Sequence, residues 1–399
     1  METRGIRTYR TYGTYVLTFL ALALTALSGC QREDCRTESN AARAELDIRL
    51  SVDGAAIVGE ENTRSDATGT RSVVTGTTLN ESGRTYGIFA CVHEDTPAEY
   101  RNYDYDNANL YGNIQAWYGN FNSKGTGWWY SYESSAGSRF KPLYFMAEDV
   151  SRHMDIYAYA PWKSGVTMQS GYQYNLTSLA EGDLPDLMYA TYEGDGGTPT
   201  NRDITLVDKA TIPVKINFHH ALSRIAFHFK LADAQNTGLD GEHALRLWQI
   251  SLQRSAASST PLYTRGTMEL LTGNVTYTGF SQPEQTVNYA TSTDGNLSTY
   301  DIYQSDAWKT FNMLVHPTEY LQDGNFSFRF CFNGNGPAQI LNYQYEIKRS
   351  DLLHDDGTTC GFQPGYCYHF YFIIDNYIHL RNVVISTDWE LTDETEIKI

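Results

Sequence analysis

Strict alternation of apolar and polar residues, repeated in segments far apart, constrains this chain more than any other feature. Leu46, Ile48, Leu50 and Val52 alternate with Glu45, Asp47, Arg49 and Ser51. Phe326, Phe328, Phe330 and Phe332 alternate with Ser327, Arg329 and Cys331. Tyr366, Tyr368, Phe370, Phe372 and Ile374 again share one parity. A period of two gathers such side chains on one face of an extended strand, whereas a helix would scatter them around its axis. Each segment therefore has one buried and one wet face. The composition fits: 30 Tyr, 17 Phe, 7 Trp and 32 Gly, with few blocks of helix-forming Ala, Leu, Glu and Lys. The expected fold is all-β, built from antiparallel sandwiches with many turns.

The remaining segments extend this reading. Tyr86–Val92 reads as a buried strand, and Leu143–Met146 and Met154–Trp162 as two more. Leu184–Ala190 is a short apolar segment, and residues 193–203 form a loop or hinge. The roughly 370 residues after position 29 suffice for two ordinary domains. The division is placed at 45–210 and 211–399, with 30–44 as a linker. Val214, Ile216 and Phe218 carry one parity, and Ile225, Phe227, Phe229 and Leu231 the other. The phase slips across His219–Ser223. A slip of one residue turns every side chain to the opposite face, so a bulge or bend belongs there.

Three features invite a chemical reading. His219, His220 and His228 suggest a metal, but no acidic or Cys partner sits at useful spacing, so polar packing is favoured and no metal is expected. The aromatic stretch 100–140, with Trp128 and Trp129, could be a platform that stacks on sugar rings or simply core and cross-strand packing. Cys360 and Cys367 flank Gly361–Gly365, and a disulfide among Cys331, Cys360 and Cys367 competes with isolated thiols. No GxSxG elbow, HExxH helix or phosphate loop is present, so neither an enzyme nor a cofactor is indicated. The net charge of -17 argues against nucleic acid as a partner.

The chain begins with Arg4, Arg7 and Arg10, then an apolar run from Thr14 to Leu27, then Leu27-Ser28-Gly29-Cys30. The run is too short for a helix to cross a bilayer of ~30 Å. The order of parts is that of a lipoprotein signal peptide over residues 1–29, cleaved so that Cys30 carries the lipid. Acylated Cys30 would tether the protein to outer-membrane lipid. Gln31-Arg32-Glu33-Asp34 is either a plain linker or an acidic surface-sorting signal.

At the other end, Leu391, Thr395, Ile397 and Ile399 share a parity, interrupted by Asp393. The segment from Asp388 to Ile399 reaches about 40 Å when extended. It is an amphipathic strand with no partner after it in sequence.

Together these residues resemble the Bacteroidetes fimbrillin family, whose members build type V pili. The resemblance rests on the Cys30 motif and on the first strand followed by arginines. It also rests on Asp155–Pro161, Asp186–Ala190, Phe218–Ile225, Phe362–Tyr366 and the near-terminal Trp389. It implies two transthyretin-like β-sandwich domains in tandem, displayed on the cell surface or in a fimbrium. It implies other fimbrial subunits as partners, with host or bacterial surface ligands as adhesive targets.

It further implies strand exchange. An arginine-specific protease would cut the loop after the first strand, with Arg71 the first candidate, then Arg64, and Arg43 as an outside candidate. The strand carrying Leu46, Ile48, Leu50 and Val52 would leave, and another subunit's tail, with Leu391, Thr395, Ile397 and Ile399, would fill the slot. Burying four aliphatic side chains is worth roughly 6–12 kcal/mol, comparable to a domain's whole stability. The vacated slot is thus a strong acceptor for a strand of matching parity. The alternative is a surface lipoprotein that binds glycans through exposed aromatics such as Trp128 and Trp129.

Overall fold

The structure, a computed structural model, describes residues 48–52, 55–56, 84–94, 111–120, 126–131, 152–190, 194–195, 198–199, 214–232, 245–289, 301–302, 308–318, 321–333, 340–357, 359–375, 377–387 and 389. These residues form an all-β protein. Among them no helix is long and apolar enough to cross a membrane.

One sheet has eight strands. Across it lie β2 (Ala55–Ala56), β1 (Ile48–Val52), β12 (Val214–His220), β9 (Met188–Ala190), β6 (Arg152–Ala160), β3 (Thr85–Glu94), β4 (Tyr111–Asn120) and β5 (Thr126–Ser131). A four-stranded sheet runs β19 (Lys309–Val315), β13 (Ser223–Leu231), β22 (Cys367–Ile374), β23 (Ile378–Ser386). Facing it is a six-stranded sheet of β21 (Ile340–Glu346), β20 (Phe326–Asn333), β14 (Leu245–Arg254), β17 (Glu284–Asn288) and β8 (Ser178–Ala180), with β18 (Asp301–Ile302) also on β14. Smaller sheets are β16 (Val275–Tyr277), β15 (Arg265–Met268), β7 (Tyr172–Asn175), and the pair β10 (Gly194–Asp195) with β11 (Thr198–Pro199).

The four- and six-stranded sheets pack face to face through the alternating phenylalanines. Phe227 of β13 meets Phe328 of β20 edge-on, with centroids 4.8 Å apart and planes at 88°. Phe229 meets Phe330 at 5.1 Å and 82°, and Phe332 at 5.5 Å and 88°. Phe370 and Phe372 of β22 reach Phe328 and Phe330 at 5.1 and 5.2 Å. Edge-to-face contact directs the positive rim of one ring at the negative face of the next. All seven rings are essentially removed from water, as their parity requires. β22, however, has no wet face: Cys367, His369 and Tyr371 on its other side are buried too, so the expectation of one wet face fails for Tyr366–Ile374.

The eight-stranded sheet has a separate apolar face, formed among the described residues by its own side chains. Leu50, Val52, Ile88, Ile156, Ile216 and Phe218 belong to it. Tyr86 on β3 and Phe218 on β12 have ring centroids only 5.8 Å apart. Three strand steps separate them, about 14 Å in a flat sheet, so the sheet curls over this face. Its opposite face contributes Phe89, Tyr157 and Tyr159 to the larger core.

The structure departs from the antiparallel expectation. β1 pairs with β12, β13 with β22, and β17 with β8, all parallel. Parallel neighbours need a long connection between them, and each of these pairs is distant in sequence. Strand membership also crosses residue 210. β12 lies in the eight-stranded sheet, while β7 and β8 pair with β15 and β17. The phase slip at His219–Ser223 is where the chain leaves one sheet after β12 and enters another as β13.

Cys331, Cys360 and Cys367 form no disulfide with one another, so of the two alternatives the sequence left open, separate thiols is the one found. The turn between Cys360 and Cys367 is held instead by Tyr368. Its hydroxyl donates to the Gly361 carbonyl and accepts from the Gln363 N–H at 2.8 Å.

The phenylalanine seam generates a direct expectation. Phe330→Ala should cost about 3–5 kcal/mol in urea unfolding of the sandwich. Ser327→Ala, on the opposite face of the same strand, should cost no more than about 1 kcal/mol, the net worth of one partly exposed hydrogen bond.

Candidate functional site

The strand β1 sits almost at the border of the eight-stranded sheet. On one side it pairs with β12 from Ile48↔Val214 to Val52↔Phe218. On the other, the described residues offer only two positions of β2, Ser51↔Ala56 and Val52↔Ala55. Leu50 and Val52 are buried beside Ile216 and Phe218. Ser51 faces the other way, and its hydroxyl donates to Asn217 Oδ1 at 2.7 Å. β12 keeps β9 on its far side, so the sheet does not need β1 for continuity.

β12 ends in a second cluster. The indole of Trp389 lies flat on the His220 imidazole, with centroids 3.4 Å apart and planes at 8°. Its Nε1–H donates to the Gly365 carbonyl at 2.8 Å. Its own carbonyl accepts from Arg224 Nη1, and the Arg224 guanidinium stands 5.9 Å from the ring centroid. His220 Nδ1 lies 2.9 Å from Asp186 Oδ1, with both side chains buried. Arg224 Nε donates to Asn312 Oδ1 at 2.7 Å. Burying that guanidinium is tolerable because oxygen acceptors and an aromatic ring surround it.

Backbone contacts tie the same loops together. Ala221 N–H donates to Leu187 O at 2.8 Å, Gly365 N–H to Leu222 O at 3.0 Å, and Arg224 N–H to Tyr366 O at 2.9 Å. Ser223 Oγ donates to Gln363 O at 2.7 Å. Gly365 has φ +78, a left-handed turn that suits glycine. Four stretches remote in sequence thus form one clamp around Trp389, from which the chain continues into its C-terminal tail.

The sequence reading noted these stretches separately and missed their convergence. It found no acidic partner for the histidine pair, yet folding carries Asp186 to His220. His219 packs by the Tyr189 ring at 5.9 Å. His228 lies away from both, on β13, between His369 at 3.0 Å and Thr310 at 2.9 Å. Among the described residues no group of three or more His, Cys, Asp or Glu side chains is arranged to hold a metal ion. Ile48 lies within β1, and β5 carries Trp128 and Trp129 at a sheet border. Cys30, Arg43, Leu46, Arg64, Arg71, Leu391, Thr395, Ile397 and Ile399 lie outside the described residues.

Burial makes His228 sensitive to acid. Desolvation first, then the neighbouring His369 and Arg224, lowers its pKa from 6.5 to about 2. Below the ordinary value the unfolded chain binds a proton that the folded chain refuses. Stability from this group is therefore present above about pH 6.5 and is lost as the pH falls toward 2. Moving from about pH 7 to about pH 5 should remove roughly 2 kcal/mol through this residue. His228→Gln should flatten that part of the slope in urea titrations at the two pH values.

Comparison with known proteins places these features in context. A family model described as fimbrillin-like matches residues 70–393. No curated protein matches the chain. Among solved structures, a putative cell adhesion protein from Bacteroides uniformis is similar at 14% identity, covering 88% of this chain and 99% of its own, with TM-score 0.46. A fimbrial protein from Bacteroides vulgatus is similar at 14% identity, covering 85% and 98%, with TM-score 0.38. The tip fimbrial protein Mfa3 from Porphyromonas gingivalis, truncated at its C-terminus, is similar at 9% identity, covering 78% and 96%, with TM-score 0.34.

Proposed function

Because the chain belongs to the fimbrillin-like family, we propose that it is a structural and adhesive subunit of a cell-surface fimbrium, tethered through acylated Cys30 and assembled by strand exchange. Its partners are other fimbrial subunits, and the role involves no catalytic step. The two units that carry it are transthyretin-like sandwiches.

The observation that supports exchange is the position of β1. Among the described residues it is held to the rest of the sheet by one five-residue ladder on β12, and its other side meets only two positions of β2. Its buried side chains Leu50 and Val52 contribute roughly 3–6 kcal/mol. A cut after Arg71 or Arg64 would sever this segment from the rest of the chain, and β2, which precedes both arginines, would leave with β1. Departure would expose the β12 ladder edge and an apolar groove lined by Ile216 and Phe218, which an alternating strand satisfies on both counts. The tail after Trp389 has that alternation.

The clamp gives the tail a fixed root. His220, under Trp389, lies two residues beyond Phe218 on β12, about 7 Å along the strand. A subunit of this design holds its outgoing tail beside the end of its own acceptor slot.

Digestion with an arginine-specific protease should release the N-terminal segment and yield ladders of multimers that survive SDS without boiling. Complete cleavage that leaves only folded monomers would contradict assembly by exchange.

A further inference from the structure

Among the described residues, seven-residue β21 ends the six-stranded sheet and pairs only with β20. Among the same residues, the other sheet borders except that of six-residue β5 are guarded. β23 carries His379 and Arg381 and has a register shift against β22 between Tyr371 and Phe372. β19 contains Lys309 and is mostly buried. β2, β7, β8 and β16 have four residues or fewer. Short length, charge and bulges are how proteins stop strand borders from pairing with other chains. β21 has none of them over Ile340-Leu341-Asn342-Tyr343-Gln344-Tyr345. Every residue in it is exposed or half-exposed, with Ile340 at 66%.

Its free backbone groups can be assigned. Ile347 N–H donates to Phe326 O at 3.0 Å, so the hydrogen-bonded positions against β20 are those in phase with Ile347. By alternation, Leu341, Tyr343 and Tyr345 direct their amides and carbonyls at β20. Ile340, Asn342, Gln344 and Glu346 direct theirs away from the sheet.

We propose that β21 is a docking border for a second copy of this chain, paired antiparallel about Tyr343. In that register Asn342 lies opposite the other copy's Gln344, and Ile340 opposite Glu346. The outward backbone sets of the two strands coincide, giving four pairs that exchange both hydrogen bonds. Tyr343 meets its twin at the central, non-bonded pair, and Leu341 meets Tyr345. Amide faces amide, and the one acidic side chain faces an aliphatic one, so no like charges are opposed. This self-complementarity selects a second copy over an unrelated strand, and a twofold pair is closed and cannot propagate. The contact joins subunits sideways, through a different sheet from the one that holds β1.

The test uses the full, uncut chain purified in detergent, so its outcome is independent of strand exchange. Light scattering should show the protein mass doubling as concentration rises. The N342K/Q344K double variant places lysines opposite each other and should stay monomeric while its circular dichroism is unchanged. Under mild oxidation Tyr343→Cys should form the disulfide dimer at least about ten-fold faster than Leu341→Cys or the parent chain, because only position 343 faces itself at disulfide range. A monomer at every concentration, a dimer that persists in N342K/Q344K, or equal cross-linking at 341 and 343 would overturn the proposal.

Discussion

The dry seam of phenylalanines between two facing sheets is the interaction on which the rest of the molecule rests. Phe227 and Phe229 on one side, and Phe328, Phe330 and Phe332 on the other, interlock edge to face. The arrangement needs both strands in register, since a one-residue slip would turn the rings toward Arg329 and Ser327 positions. It fixes β13, and β13 begins three residues after β12 ends. The clamp at His220 and Trp389 is built across that short link. A rigid sandwich thus sets where the eight-stranded sheet ends and where the tail begins.

Against this rigid part, β1 contrasts sharply. The seam strands lie in the interior of their sheets, with ladders on both sides. β1 has one full ladder, and its removal leaves β12 still paired to β9. Local stability is uneven in just this way in proteins whose function requires one element to move. The proposed exchange is compatible with this unevenness: among the described residues, the elements that pack the sandwich do not include β1.

Much of this architecture was legible in the sequence. The parity of Phe326–Phe332 named the face that packs, whereas in Tyr366–Ile374 both faces proved buried, and the phase slip at His219–Ser223 marked a real change of sheet. What was not legible depended on long-range pairing. Parallel neighbours such as Ile225 and Tyr368 leave no local signature, because their connection spans most of the sandwich. The clamp was invisible for the same reason: Asp186, His220, Gly365 and Trp389 each have an ordinary local context and acquire a role only together. The cysteine spacing left a disulfide and separate thiols both open, and only the fold shows that a tyrosine hydroxyl holds that turn.

The account turns on whether β1 can be exchanged for a tail strand while the fold persists. Native mass spectrometry of the protein cut by an arginine-specific protease, mixed with a peptide of residues 388–399, measures this directly. The account predicts loss of the N-terminal fragment and uptake of one peptide per subunit. Retention of the fragment under excess peptide, or loss of it with no peptide bound, would contradict it.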